Sequence, residues 1–100
     1  MPRLIWSPQA LSDLSKLHRF LLDHDEALAR RAIKTIREGL TRLESHPEAG
    51  RKAEGMPAGF REWSIPFGRR GYVALYRQDT RGVVILAVRH AREAGFIRED

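Results

Sequence analysis

The sequence predicts an α+β domain with the element order β-α-α-β-β-β, in which an N-terminal helical hairpin packs on one face of an antiparallel, twisted sheet. Two patterns predict this fold. In the first half of the chain, apolar residues recur every three or four positions, which is typical of amphipathic helices. In the second half, short apolar runs are separated by links that contain glycine, which is typical of antiparallel strands. All 100 residues, 1–100, are expected to form a single domain, because so short a chain cannot bury two cores.

The first two elements are a short strand and a helix. The strand is predicted from Arg3 to Trp6. The Ser7 hydroxyl can cap free helix amides and Pro8 suits a first helical turn, so a helix is predicted from about Pro8 to His24. We expect one face of this helix to be buried. The apolar stripe on that face contains Leu11, Leu14, Leu17, Phe20 and Leu21.

A second helix is predicted from about Glu26 to Ser45, after a cap at Asp25 and before the stop at His46-Pro47. Because the break between the two helices is short, we expect them to lie antiparallel as a hairpin. The apolar stripe of the second helix contains Ala29, Ala32, Ile33, Ile36, Leu40 and Leu43.

The second half of the chain is predicted to be one long loop followed by three strands. Pro47 to Gly59 is rich in proline, glycine and charge, which favours turns. The strands are predicted at Phe60 to Pro66, Tyr72 to Arg77 and Val83 to Arg89. Their short links favour two successive antiparallel hairpins.

The last strand is expected to lie inside the sheet. Every residue from Val83 to Val88 is apolar, as in a strand that is covered on both faces. The residues after Arg89, from about position 90, have mixed charge and are expected to form a short helix or a loose tail. With helices on one face of the sheet, the other face is left for a partner.

The composition limits the kinds of site that the chain can carry. It is 42% hydrophobic and 31% charged, as in ordinary globular proteins. The absence of cysteine excludes disulfides, thiolate metal ligands and a cysteine nucleophile. The four histidines lack a paired ligand spacing and no phosphate-binding glycine loop is present, so neither a metal nor another cofactor is expected. The histidines are His18, His24, His46 and His90.

The charge balance points to an acidic partner. The formal net charge is +5, and 15 of the 18 basic residues are Arg, whose guanidinium suits forked contacts with phosphate or carboxylate. A general bias toward Arg would explain the excess equally well. A nucleic-acid binding module is disfavoured because Asp and Glu are scattered through both predicted helices. No signal-peptide core or membrane-spanning run of about 20 apolar residues is found, and we expect a cytoplasmic protein without membrane contact.

Five segments, taken in order, resemble the RelE/ParE toxins of type II toxin-antitoxin systems. They run from Trp6 to Leu14, His46 to Arg51, Gly59 to Glu62, Tyr72 to Arg77 and Val83 to Glu93. The resemblance implies the RelE/ParE-like fold. It also implies a cognate antitoxin, whose acidic, partly disordered C-terminal segment wraps the toxin in a hetero-oligomer. Such folding onto a basic domain is physically reasonable, because complementary charge favours encounter and apolar anchors supply affinity.

The resemblance leaves two mechanisms, which the sequence helps to separate. The ParE branch inhibits DNA gyrase by binding, whereas the RelE branch cuts mRNA on the ribosome. RelE-like enzymes commonly have a basic residue before the motif that reads Ala74-Leu75-Tyr76 in this chain, but Tyr72-Val73 stands there. The ending from His90 to Glu93 resembles ParE-like chains. We therefore expect a gyrase inhibitor rather than an enzyme.

A RelE-like endoribonuclease is the alternative. It needs a base for the 2′-hydroxyl, a cation for the developing phosphorane charge and an acid for the leaving oxygen. Glu54 could be the base, His90 the acid, and Arg61 or Arg77 the cation, provided that the fold brings them together.

The candidate binding residues fall into two sets. Those expected to bind the target lie at a predicted hairpin tip and after the last strand, where charges also serve only to keep strand edges soluble. Those expected to bind the antitoxin are aromatic or basic, and are equally suited to core packing or internal ion pairs. The target-binding set is Arg69, Arg70, Arg89, His90 and Arg92; the antitoxin-binding set is Trp6, Phe20, Arg61, Trp63, Tyr76 and Arg77.

Overall fold

The structure, a computed structural model, describes residues 3–93. Two helices and five strands follow one another in the order β1, α1, α2, β2, β3, β4, β5. Their bounds are Arg3–Trp6, Pro8–Leu22, Glu26–Ser45, Arg51–Lys52, Arg61–Ile65, Tyr72–Asp79 and Gly82–His90. Of the predicted tail, residues 91–93 form a turn and the rest lies outside the described residues.

The five strands form one mixed sheet in the order β1-β5-β4-β3-β2. The predicted hairpins β3-β4 and β4-β5 are confirmed, and β5 lies inside the sheet as expected. The other pairs are antiparallel, as predicted, and β1 pairs with β5 in parallel. The predicted loop contains a two-residue strand, β2, which pairs antiparallel with β3.

Both helices begin at the predicted caps. The Ser7 side chain accepts a 3.0 Å hydrogen bond from the Ala10 amide, and Asp25 accepts bonds from the amides of Ala27 and Leu28 at 2.8 and 3.2 Å. These side chains satisfy amides that the first helical turn leaves without partners. Helix α1 ends at Leu22, two residues before the predicted His24.

The apolar stripe of α1 differs from the predicted one. Ala10 and Leu14 are buried, and Leu17 and Leu21 pack against the core with them, at helical spacings of four, three and four. Leu11 and Phe20 lie off this stripe, and they are 50% and 65% exposed. The core lies between the hairpin and the sheet, and its largest fully buried side chains are Ile36, Leu40, Leu43, Tyr76, Val83 and Ile85.

The far face of the sheet is not the free apolar surface that was expected. Val73, Leu75 and Val84 alternate with core residues along β4 and β5, and each is at most 5% exposed. Among residues 3–93, the large apolar side chains left exposed are Leu11, Phe20 and Leu22, all on α1. In the same range, no helix is long and apolar enough to cross a membrane.

Candidate interaction groove

An open groove of about 1120 Å³ lies between α1, the turn that joins β3 to β4, and the C-terminal half of β5. Residues from both ends of the sequence line it. Its shape therefore depends on how α1 is held against β5.

The wall formed by α1 is a second helical face beside the buried stripe. Gln9, Asp13, Lys16 and Phe20 recur at spacings of four, three and four residues, and all four line the groove. Phe20 is the most exposed large apolar residue in the described part of the chain, at 65%. Its ring lies 5.2 Å from the His24 ring. This wall thus presents an aromatic ring to solvent at the edge of a concave surface.

Two side-chain hydrogen bonds fasten α1 to β5 at a β-bulge. Tyr76 pairs with Ile85 and Leu75 pairs with Ala87, so Leu86 is the extra residue in β5. The Ser7 hydroxyl donates to the Leu86 carbonyl at 3.1 Å, and the Asp13 carboxylate accepts from the Val88 amide at 2.9 Å. Such contacts satisfy backbone groups of β5 beyond Ile85, the last residue that pairs with β1.

The second wall is the β3-β4 turn, which carries Arg69 and Arg70. Both are exposed. The turn depends on Gly71, which has a φ of +78° and lies so close to β3 that an added Cβ would be 2.2 Å from the Ile65 carbonyl oxygen. The Gly71 carbonyl also accepts a 3.0 Å hydrogen bond from the Ala91 amide. This contact ties the turn to the chain that leaves β5.

The end of β5 and the residues after it carry a compact group of polar side chains that also line the groove. The Arg89 guanidinium donates to the carbonyls of His90 and Glu93 at 3.2 and 2.8 Å. The His90 Nδ1 accepts from the Arg92 amide at 3.0 Å, so a neutral His90 carries its proton on Nε2. The edge of the His90 ring meets the Tyr72 ring at 5.5 Å. Burial raises the pKa of the Tyr72 hydroxyl, which therefore stays protonated at neutral pH.

The groove is electropositive. Five cationic side chains and two carboxylates line it, for a net charge of +3, out of +5 for the whole chain. One of the carboxylates, that of Asp13, is already engaged by the Val88 and Gln9 nitrogens. The cationic residues are Lys16, Arg69, Arg70, Arg89 and Arg92.

The fold brings the predicted target-binding residues together, but it does not bring together the predicted antitoxin-binding residues. Arg69, Arg70, Arg89, His90 and Arg92 all line the groove, together with Phe20.

The other predicted antitoxin-binding residues have partners within the chain. Trp6 lies under the Arg37 guanidinium at 6.0 Å, Trp63 donates to the Gly39 carbonyl at 3.0 Å, and Arg77 bonds Asp79 at 3.4 Å.

Tyr76, expected as an antitoxin anchor, lies in the core instead. It is 0% exposed. Its buried hydroxyl donates to the Pro47 carbonyl at 2.9 Å and accepts from the Gly50 amide at 2.8 Å. Arg61 supports the same loop by donating to the Gly50 carbonyl at 2.7 Å.

The four candidate catalytic residues are not brought together. Arg77 lies opposite Val84 and His90 opposite Tyr72; five residues of strand separate these positions, roughly 17 Å. Arg61 is held on the Gly50 carbonyl, and Glu54 is exposed in the loop after β2. Within residues 3–93, these side chains do not converge on one phosphate.

Sequence reasoning missed Asp13 and Lys16 as groove residues. The signal was available in the spacing of Gln9, Asp13, Lys16 and Phe20, which marks one helical face. Phe20 had instead been assigned to the buried stripe.

Known proteins are similar to this chain in sequence and in fold. Residues 4–95 match the family model described as "ParE toxin of type II toxin-antitoxin system, parDE". A curated relative, "Toxin RelE3" of Caulobacter vibrioides, is 40% identical over 87 residues, which cover 86% of this chain and 90% of that protein. A solved structure titled "Chromosomal ParDE TA system from P. aeruginosa" superposes with a TM-score of 0.77 at 20% identity, covering 92% of this chain and 98% of that one. The predicted family and α+β fold are confirmed: this chain belongs to the ParE toxin family of type II toxin-antitoxin systems.

Proposed function

We propose that this toxin inhibits DNA gyrase by binding it through the basic rim of the groove, and that a cognate antitoxin neutralises it. The basic rim is the set Arg69, Arg70, Arg89, His90 and Arg92. The observation that carries the proposal is the gathering of Arg69, Arg70, Arg89, His90 and Arg92 on one electropositive surface. The match to the ParE toxin model supports the same reading. Gyrase acts on DNA in the cytoplasm, which is where we place the toxin.

The chemistry of the rim suits binding to an acidic surface. Arg69 and Arg70 are exposed at a turn, and their planar guanidinium groups can each make two parallel hydrogen bonds to a carboxylate or phosphate. A cluster of like charges also raises the rate of encounter with an acidic partner. No bond needs to be broken for such an inhibitor to act.

A second candidate function is ribosome-dependent cleavage of mRNA. The observation in its favour is the name of the curated relative, Toxin RelE3, at 40% identity. Against it stands the separation of the residues that would do the chemistry. Arg77 and His90 lie at opposite ends of the β4-β5 ladder, whereas base, acid and charge stabiliser must meet at one phosphate.

The deciding experiment compares the two targets side by side. Purified toxin is incubated with gyrase, relaxed plasmid and ATP, and in parallel with translating ribosomes and a defined message. We expect supercoiling to fail or cleaved DNA to accumulate while the message stays intact. A cut message with normal supercoiling would overturn gyrase inhibition and favour the RelE-like function.

Matched variants sharpen this test. Changing Arg69 and Arg70 together to Gln removes two charges from the rim and is expected to weaken gyrase inhibition. Changing Arg30 and Lys34 together to Gln removes two charges from α2, where both side chains are also exposed, at 69% and 77%. This control is expected to inhibit like the wild type.

A further inference from the structure

Helix α1 has a third surface on the side that faces away from the groove. Leu11, Ser15, His18 and Leu22 recur at spacings of four, three and four residues, so they lie within about 60° of one another around the helix axis. The face of α1 that lines the groove is centred roughly 160° away. Leu11 is 50% exposed and Leu22 is 43% exposed. These four residues form the outer stripe of α1.

The spacing of the outer stripe is that of a coiled-coil seam. Steps of four and three residues average 3.5, which keeps a row of side chains facing a second helix along its length. The outer stripe has a leucine at each end and two polar residues in the middle. A helix with the same pattern of apolar ends and a polar middle would therefore match it.

A second copy of α1 supplies such a helix when it runs antiparallel. In a twofold symmetric dimer, residue i of one copy contacts residue j of the other, and j contacts i. Leu11 and Leu22 are equally far from the middle of the outer stripe, and so are Ser15 and His18. An antiparallel pair of α1 helices therefore places Leu11 opposite Leu22 twice and Ser15 opposite His18 twice.

The polar middle of the outer stripe suits this pairing. Among the residues that the structure describes, neither Ser15 nor His18 has a hydrogen-bond partner. A serine hydroxyl can donate to an imidazole nitrogen, so each residue could satisfy the other across the seam. Polar pairs within an apolar seam fix the register and the orientation of the two helices. The pairing of serine with histidine thus selects the antiparallel register.

The charges beside the outer stripe allow two basic chains to meet there. The depression between α1 and α2 is lined by His18 and by cations that include Arg30 and Lys34. Arg30 pairs with Glu26 at 3.5 Å and Lys34 with Glu38 at 3.9 Å, and these carboxylates offset the two charges. The net charge of +3 lies in the groove, on the opposite side of α1. Repulsion between two copies is therefore smaller at the outer stripe than at the groove.

We infer that two copies of the toxin associate through the outer stripes of their α1 helices as an antiparallel, twofold symmetric dimer. The groove of each copy stays open, because it lies on the side of α1 that faces away from the seam. Two leucine layers make a small contact, so the association is weak and depends on concentration. This inference goes beyond the proposed function and does not rest on it.

The first test is disulfide cross-linking. The chain has no cysteine, so an introduced cysteine can react only with another introduced one. Leu11→Cys and Leu22→Cys are purified separately under reducing conditions and then oxidised, each alone and as an equal mixture. Along a helix the two positions are about 16 Å apart, whereas a disulfide needs Cα atoms within about 7 Å. In the antiparallel dimer, only the mixture brings two sulfurs together.

We expect at least about fivefold more cross-linked dimer in the mixture than in either variant alone. Ala27→Cys mixed with Leu11→Cys is the control, because Ala27 is exposed on α2 and does not belong to the outer stripe. Equal cross-linking in the single variants and the mixture would overturn the antiparallel register. Absence of cross-linking in every sample would overturn the dimer.

The second test measures association without cysteine, by sedimentation velocity over a series of concentrations. The wild type is expected to shift from monomer toward dimer as its concentration rises. Leu22→Ser removes an apolar side chain from both leucine layers, so the dissociation constant should rise at least about tenfold. Phe20→Ser is the matched control, because Phe20 is also exposed on α1, at 65%, but lines the groove. Its effect should stay within about twofold.

The outcomes of this test are decisive in either direction. Thermal unfolding of each variant verifies that the fold is retained. A wild type that stays monomeric at every concentration would overturn the inference. Loss of association in Phe20→Ser with none in Leu22→Ser would place the contact at the groove and overturn it as well. Neither test contains gyrase, so failure of the proposed function and failure of the dimer are observed separately.

Discussion

The amide of Gly50 donates a 2.8 Å hydrogen bond to the buried hydroxyl of Tyr76. The same hydroxyl donates to the Pro47 carbonyl, so one side chain of β4 holds both ends of the turn that follows α2. This contact gives the segment from His46 to Arg51 a structural role.

Gly50→Ala is expected to destabilise the fold strongly. A Cβ at this position would lie 2.5 Å from the Glu62 carbonyl oxygen and 2.6 Å from the Tyr76 hydroxyl, and backbone must move to relieve the first contact. Overpacking of this kind costs about 1–3 kcal/mol or more. Urea unfolding measures the loss, with Ala49→Ser at the exposed neighbouring position as control. Equal stability of the two variants would mean that the loop adapts freely.

Tyr76→Phe is expected to lower the free energy of unfolding by about 1–3 kcal/mol, because the Gly50 amide and the Pro47 carbonyl lose a buried partner. The substitution also changes the pH dependence of stability. Burial raises the pKa of the Tyr76 hydroxyl above its ordinary value of 10.0. The unfolded chain then releases this proton at lower pH than the native one, so stability is full below pH 10 and falls as the pH rises further. Unfolding at pH 8 and above pH 10 should show a smaller fall in Tyr76→Phe than in the wild type.

Asp13→Ala is expected to loosen α1 from β5, because the Val88 amide loses its carboxylate partner. The loss of stability should be about 1–3 kcal/mol, and antitoxin binding should weaken because the groove wall shifts. Asp13→Asn keeps an oxygen that can accept the same bond, so it should be clearly milder in both assays. If Asn is as harmful as Ala, the charge of Asp13 rather than its hydrogen bond is what the site requires.

Asp79 is expected to titrate with an unusually low midpoint. Hydrogen bonds from the Arg81 side chain and amide lower the pKa of its carboxyl from 3.8 to about 2. Since the folded pKa is depressed, the contribution of this carboxylate to the β4-β5 turn is present above pH 3.8 and is lost as the pH falls toward 2. Carboxyl chemical shifts followed by NMR give the midpoint directly. In Arg81→Gln the midpoint should rise, and an unchanged midpoint would exclude the guanidinium as the main cause.

Much of the fold could be predicted because local chemistry determines it. Ser7 and Asp25 cap the helices where the sequence indicates, since few residue types satisfy free amides. The apolar run of β5 identified the inner strand, because only a strand covered on both faces tolerates it.

The features of the fold that were not predicted depend on tertiary contacts, which leave little trace in the sequence. A strand of two residues, Arg51–Lys52, is too short to show a period, and the parallel pairing of β1 with β5 joins residues about 80 positions apart. Tyr76 and Phe20 are both aromatic, yet one is 0% and the other 65% exposed, and only the course of the surrounding chain decides between them.

The candidate site was predicted only in part, because it too depends on tertiary contacts. The residues predicted to bind the target lie near one another because a turn and a strand end meet at Gly71 and Ala91. The candidate nuclease residues were grouped only because their side chains suit the chemistry. In the fold, Arg77 and His90 lie at opposite ends of the β4-β5 ladder.

The place of β5 between β1 and β4 has a consequence for synthesis of the toxin. Until residues 82–90 have left the ribosome, β1 and β4 cannot be joined in one sheet. Helix α1 also lacks β5, the strand against which it packs. The groove therefore does not exist on a shorter nascent chain, so any partner that binds there must wait until residues 82–90 have been synthesised.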